Sequence, residues 1–585
     1  MRIWMGILLF LLELTLLSSV IQGQDASACQ IRHSDIFISQ VTSMSTLKQY
    51  HVTGIAWGFL PHPLDRRNMD RWKKRVSTIK ASGLKFQARI EFDARWENMI
   101  DFDPVFYQES IMRTLDGEYL VAPWFADHRY KGSPAYWFCS NAPNFREYLK
   151  FQAKHALSGS PDLIMLDAQT SSALPLRWYA GCFCPHCLKG FNRFLESSYT
   201  PLELDQKGIE NRRSFNYREF LKERGYDDLQ FKRESRLQRP DIPLFREYQE
   251  YQLWAVSKLS GELSAYIDSL AGRHVPLSTS SPAHQAYRSV IIPEISHYTL
   301  EMAQETSSLQ VPVSTILKYK IAEAVGKKIL VTALPKQDWK LILEEERSGL
   351  VRTWIAQAYA HGANFMVPAK QWASGNKHYK GAPDDFKDLY DFIDQNRELF
   401  DGYSSFAGLS LLITHDGLRQ KSGRLDSVIH RLNFENIPFN VSMVPGGWWD
   451  FELDESLLSS GDVLLLTDSG CSWWKELPRP VQSNQEGGEL SITPRRNPDR
   501  PGNPVVFHLL NRKYNRDTDR VVTITDLEIQ LSDSLFEDKF SGACFYRPGK
   551  VPVQLDLQTG SEGYSIRIPD LDEWGIIAFT SVSVQ

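Results

Sequence analysis

Residues 162–167 read DLIMLD, an unbroken apolar run closed at its end by a carboxylate. A run this short and apolar fits a strand buried on both faces, as in a parallel sheet covered by helices. Working outward, NFREYLKFQAKHAL (144–157) carries apolar residues at helical spacing, so the two segments make one helix–strand unit. The alternation recurs from about residue 48 to 372, with strand candidates VTGIAWGF (52–59), KFQARIEF (85–92), HVPLSTS (274–280), HYTLE (297–301), KKILVTAL (327–334) and ANFMVPA (363–369). A further helix, GLVRTWIAQAYAHG (349–362), precedes the last of them. Seven strands with intervening helices predict a (β/α)8 TIM barrel, and EYLVAPWF (118–125) is expected to supply the eighth strand. A doubly wound open sheet is the rival. It lacks support from any G-x-G-x-x-G turn, so no dinucleotide or other organic cofactor is expected.

The flanks predict further units. Arg2 ahead of an apolar run interrupted by Glu13, Ser18 and Ser19 has the layout of a secretory signal peptide over residues 1–28. That run is shorter than the roughly 20 residues a membrane span needs, so the protein is expected to be secreted or periplasmic, with no integral membrane segment after processing. Lipid anchoring through Cys29 is the lesser alternative, because Ala26 stands where such sites want Leu. Residues 29–400 are expected to hold the barrel, with a charged helical insertion around 195–255. A small α/β domain follows at 401–482, carrying AGLSLLIT (407–414) and GDVLLLTD (461–468). The period-two runs of 483–585 predict an antiparallel β-sandwich. A net charge of −5 argues against a nucleic-acid partner. Aromatic residues at 12%, with 16 Trp, favour carbohydrate contact in an exported chain, although most of these rings will serve only as core.

Three of the seven cysteines crowd into GCFCPHCL (181–188). Cys182, Cys184 and Cys187 with Cys139 upstream suit a closed tetrahedral site, a structural zinc with no open position for water. His186 is the alternative fourth ligand. Two disulfides or a reactive thiol are the competing explanations. CFCPHCL followed by KGFNRFL, with Cys139 ahead of NAPNFREYL, resembles the zinc-binding cysteine set of family 42 glycoside hydrolases, the barrel-type β-galactosidases. The resemblance extends to domain order and implies possible assembly into homo-oligomers through the small α/β domain. It breaks where that family carries Asn-Glu after its fourth strand, since this chain has LDAQTSS, and no matching glutamate follows KKILVTAL. The β-galactosidase activity does not carry over.

In a barrel, chemistry sits where strands end, which singles out Asp167 and Glu301, with Glu305 a turn further on. Glu91 and Asp93 end another strand and are expected to pair with Arg89 or Arg95. An acid after strand four and a glutamate after strand six resemble family 66 dextranase-like hydrolases, which would make Asp167 the nucleophile and Glu301 the general acid/base. Such a pair needs one ionised and one protonated carboxyl, and their separation decides retention or inversion. Other strand ends offer sugar contacts: Trp57, Glu91, Trp124, His128, Lys336, Asp338, Trp339, Lys370, Gln371 and Trp372. The two lysines raise the idea of an anionic sugar. The expectation is an exported hydrolase of O-glycosidic bonds in an oligo- or polysaccharide. A non-catalytic carbohydrate-binding scaffold on the same barrel is the alternative, and a metallohydrolase using the cysteines is a third.

Overall fold

The computed structural model describes residues 29–582 apart from 92–95, 123–124, 168–175, 177–180, 210–213, 238–239, 281–293, 305–312, 376, 415–422, 445–461, 466–476, 534–535, 537–538 and 562. Eight parallel strands form one sheet in chain order: β1 Phe37–Ile38, β2 Gly54–Phe59, β3 Lys85–Glu91, β4 Leu163–Asp167, β5 Leu277–Thr279, β6 His297–Met302, β7 Lys328–Ala333 and β8 Asn364–Phe365. Just beyond β8, Val367 bridges Ile38 in parallel and its N–H donates to Phe37 O at 2.8 Å. The sheet therefore closes into a TIM barrel. The expected eighth strand at 118–125 is corrected by β1. Tyr119 and Val121 make only single antiparallel bridges, to Arg113 and Tyr136, inside the long β3–β4 connection. Ile36, Phe37 and Ile38 are wholly buried, and the two-residue overlap with Gly54 and Ile55 is extended by Trp57 N donating to Ser39 O at 2.7 Å.

The helices form because their apolar positions repeat at helical spacing. Arg66–Ala81 starts at Asp65, whose side chain accepts from Asn68 N, and buries Met69, Trp72, Val76 and Ile79. Each such large side chain contributes about 1.5–3 kcal/mol on leaving water. Pro143–Leu157 opens with a proline in its first turn, where the missing N–H costs nothing, and buries Phe145, Tyr148, Leu149 and Ala153. Its Gln152 amide brackets the end of β3, accepting from Glu91 N at 3.1 Å and donating to Glu91 O at 2.9 Å. The β4–β5 connection holds short helices and then a 27-residue helix, Phe245–Ala271, which ends at Gly272 in the left-handed conformation.

Inside the barrel, Phe37, Ala56, Trp57, Met165, Leu330 and Met366 form an apolar cluster. Beside it lies a polar layer. Gln87 donates to Thr299 Oγ1 (3.0 Å) and accepts from Ser278 Oγ (3.1 Å), while His297 Nε2 lies 2.7 Å from Gln87 Oε1. These buried groups satisfy one another, as burial requires.

After the barrel, strand Leu409–Ile413 lies between Asn440–Met443 and Asp462–Leu465 in a small parallel sheet. A six-stranded and a four-stranded sheet, with antiparallel pairings, complete the chain and share an apolar core including Phe507, Leu509, Leu527, Ile529, Ile566 and Phe579. Among the described residues, no helix is long and apolar enough to cross a membrane.

Candidate functional site

Strand register brings the ionisable groups together. Glu91 and Asp167 are partners across β3 and β4, and Arg89 lies two residues back along β3. The Arg89 guanidinium pairs with Asp167 and, at 3.2 Å, with Glu91 Oε2. It also lies over the Phe59 ring at the end of β2, 4.4 Å from the centroid. Burial alone would weaken its hold on a proton, but Asp167, Glu91 and Glu301 together outweigh burial and raise its pKa. Glu301, near the end of β6, belongs to the same electrostatic group. Burial first, and then the Asp167 charge, push its pKa up to about 7 against the opposing pull of Arg89. Its side chain nevertheless retains an exposed face. The carboxyl is thus packed against Asp167 and Arg89 electrostatically while a ligand can reach it.

Two carboxyls are thus placed in contrasting settings on strands four and six, one held by a cation and one biased toward its protonated form. Such a pair can supply a negative charge and a proton to the same bond. The missed first strand left Asp167 and Glu301 in their expected places because the false strand at 118–125 made up the count.

The other sequence-derived positions separate. Glu91 is 9% exposed and paired with Arg89, as expected, so it supports the cluster more than it faces the cleft. Trp57 is 7% exposed and packs in the barrel's interior cluster. The accessible aromatic at that mouth is Phe59, 41% exposed and two residues nearer the strand end, which sequence reasoning passed over. Asp338 is fully buried on a π-helical turn, Pro335–Trp339. Its carboxylate accepts from Gln304 N at 3.1 Å and Leu334 N at 3.0 Å, tying the ends of β6 and β7, and burial raises its pKa to about 6. That carboxylate is therefore a brace. Trp339 and Gln371 are buried as well. Lys336 and His128 are exposed, Lys370 is half-buried, and Trp372 is exposed with its indole N–H donating to Gly375 O. Trp124, Glu305, Asp93 and Arg95 lie outside the described residues.

Arg89 as a partner of Asp167, not only of Glu91, is the main contact that sequence reasoning missed. The period-two spacing of Gln87, Arg89 and Glu91 puts all three on one strand face, but the partner on the neighbouring strand is set by register.

The cysteine cluster is a second, sealed site. The sulfurs of Cys139, Cys182, Cys184 and Cys187 lie within 4.8 Å of one another, and all four residues are buried. Cys139 Sγ stands 3.4 Å from Cys187 Sγ and 3.5 Å from Cys184 Sγ. These spacings exceed the about 2.05 Å of a disulfide, and the four thiols are free. They match the roughly 3.8 Å between sulfurs that ~2.3 Å metal–sulfur bonds in a tetrahedron imply. Cys184 caps the helix Pro185–Ser198, on which Cys187 sits. Asn141 donates to the sulfurs from its backbone to Cys139 (3.4 Å) and from its side chain to Cys187 (3.3 Å). Phe183, Tyr248 and Tyr251 wall the cluster off, with Tyr248 OH donating to Cys182 O at 2.7 Å. Burial pushes the Cys139 and Cys182 thiols up, whereas hydrogen bonds from the other three sulfurs pull Cys184 down. Four soft ligands that cannot all ionise alone suit a cation, so the cluster can hold a metal ion. His186, half-buried, is outside the four-sulfur group.

No family model matches the chain. Two curated relatives, each called "Alpha-agarase", are 24% identical (Thalassotalea agarivorans, covering 94% of this chain) and 23% identical (Alteromonas agarilytica, covering 90%). The chain spans only about 40% of the length of these relatives. Among solved structures, alpha-L-fucosidase isoenzyme 2 from Paenibacillus thiaminolyticus superimposes with a TM-score of 0.60 at 12% identity, covering 94% of this chain and 100% of that one. The beta-galactosidase from Bacillus circulans sp. alkalophilus gives 0.57 at 9% identity, covering 93% and 99%. At such identities these likenesses establish the fold.

Proposed function

We propose that the protein is a glycoside hydrolase cleaving O-glycosidic bonds of a polysaccharide, with Asp167 as the nucleophile and Glu301 as the general acid/base. The observation that carries this reading is the pair itself: Asp167 bound by Arg89, and Glu301 raised to about 7 on a strand end open to solvent. Glu301 would donate its proton to the departing glycosidic oxygen. Asp167 would face the positive charge that develops at the anomeric carbon. The exposed ring of Phe59 and the exposed Trp372 would stack on sugar faces, while Lys336 and Lys370 would favour an anionic substituent.

The curated relatives make agar the first substrate to try. We further infer export through residues 1–28, structural zinc in the cysteine cluster, domain limits at 29–400, 401–482 and 483–585, and a lineage shared with family 42 enzymes. Zinc would brace the β4–β5 connection, and no step of the reaction would pass through it.

The test is reducing-end release from agarose, porphyran-type sulfated galactan and a panel of unrelated polysaccharides by wild-type, Asp167→Asn and Glu301→Gln proteins. Cleavage by the wild type and loss in both variants, with binding retained, is the expected result. Binding without cleavage across the whole panel would leave the scaffold reading standing instead.

A further inference from the structure

At the seam between the barrel and the terminal sheets lies a buried group of cations that the cleft chemistry does not use. Helix Val313–Ala324 brings Lys320 and Glu323, and His361 follows helix Ser348–Ala360. Paired strands Leu490–Arg496 and Val505–Asn511 bring Arg495 and His508, with Arg512 just beyond. Glu323 is already committed, accepting from Arg495 Nη2 at 2.9 Å and from Ser405 N at 2.9 Å. Lys320 Nζ donates to Ser405 Oγ and Phe439 O, each at 2.9 Å, which leaves the third ammonium proton.

What remains is a set of buried polar nitrogens without partners. Both ring nitrogens of His361, Nε and Nη1 of Arg495, and all three guanidinium nitrogens of Arg512 are buried and unpartnered. Arginine does not shed its proton to escape burial, so the charge of Arg512, unlike that of Arg495 beside Glu323, stays and calls for a negative partner. Burial and then Lys320, Arg512, Arg495 and His508 hold His361 well below the usual histidine range, which marks the positive field at this point. Lys320 and His361 line a cavity of about 20 Å3 together with Asn433, Phe439, Ser491 and Thr493. That space admits one water-sized occupant.

We propose that this cavity binds one small monovalent anion of the halide class, held by a His361 N–H and the remaining Lys320 proton in the field of Arg495 and Arg512. The anion would pin the terminal sheets to the barrel. The full-length protein should melt at higher temperature in sodium chloride or bromide than in sodium gluconate of equal ionic strength. The rise should saturate at on the order of 2–4 °C. A bromide-soaked crystal should show an anomalous peak beside His361. His361→Phe keeps a ring against Tyr319 but removes both nitrogens, and it should lose the halide-dependent rise. Arg512→Met should reduce that rise while stabilising the protein in gluconate, where the unpaired charge is a burden. Equal melting in all three salts, no bromide peak in the wild type, or an undiminished halide effect in His361→Phe would each overturn the proposal. The wild-type crystal measurement stands even if a variant fails to fold.

Discussion

The two ionisable clusters flanking the β4–β5 connection are built from opposite choices. At the barrel mouth, Arg89, Asp167 and Glu301 mix charge signs, and Glu301 keeps an exposed face. At the cysteine cluster, four like groups are enclosed by aromatic rings with no exposed face. A buried group that must react needs both a perturbed proton affinity and a way in, whereas a group that only holds a loop needs neither water nor access. The cysteines look more like chemistry in the sequence; the carboxylates look more like chemistry in three dimensions.

That contrast can be broken most severely at the carboxylates. Asp167→Asn and Glu301→Gln should each lower kcat/KM by about 10^2–10^4, measured on the best substrate of the panel at a temperature where circular dichroism reports a full fold. A small effect on rate would remove the mouth from the reaction. Arg89→Met comes next. It strands Asp167 and Glu91 without their cation, so the fold should lose about 3 kcal/mol in urea unfolding, and the rate should fall by about 10–100-fold. Arg89→Lys should recover part of both.

At the sealed site the expected split is the reverse. Chelation, or Cys184→Ser, should lower the melting temperature by roughly 10 °C while leaving the rate of the remaining folded fraction unchanged. Metal content measured by elemental analysis should fall in parallel. Activity lost at a temperature where circular dichroism still reports a full fold would give the cluster a chemical role.

The smallest effect concerns pH. Glu301 has a folded pKa of about 7 against 4.5 for an unperturbed glutamate, so the folded state favours its protonated form. The stability gained by keeping it protonated is progressively lost between those values, and the destabilisation is complete above 7. Glu301→Gln should therefore be more stable than the wild type above pH 7 and similar to it below pH 4.5. The alkaline limb of wild-type kcat/KM should turn near pH 7 in free enzyme, since the general acid must be protonated.

Much of the barrel was legible because buried parallel strands are short apolar runs, and DLIMLD, KKILVTAL and HYTLE advertise themselves. β1 was not, because only Phe37 and Ile38 pair with β2, which is too short a run to stand out beside EYLVAPWF. At the candidate site, terminal position placed Asp167 at the end of β4 and Glu301 near the end of β6, as the structure has them. The same rule misplaced Trp57 and Asp338, because position on a strand or turn does not say which way a side chain points. Trp57 packs inward, and Asp338 turns its carboxylate back on Leu334 and Gln304. Arg89 was recognised as a partner for acids on its own strand, but a contact with Asp167, 78 positions later, depends on the β3–β4 register, which no local pattern encodes.

The Gln152 bracket on Glu91 carries a consequence for how the molecule comes apart. Cys139 lies a few residues before the helix that holds Gln152, and Glu91 in turn shares Arg89 with Asp167. The helix thereby links the sealed cluster to the barrel mouth, and the backbone amides of the two are expected to exchange with solvent at a common free energy, as hydrogen exchange would measure.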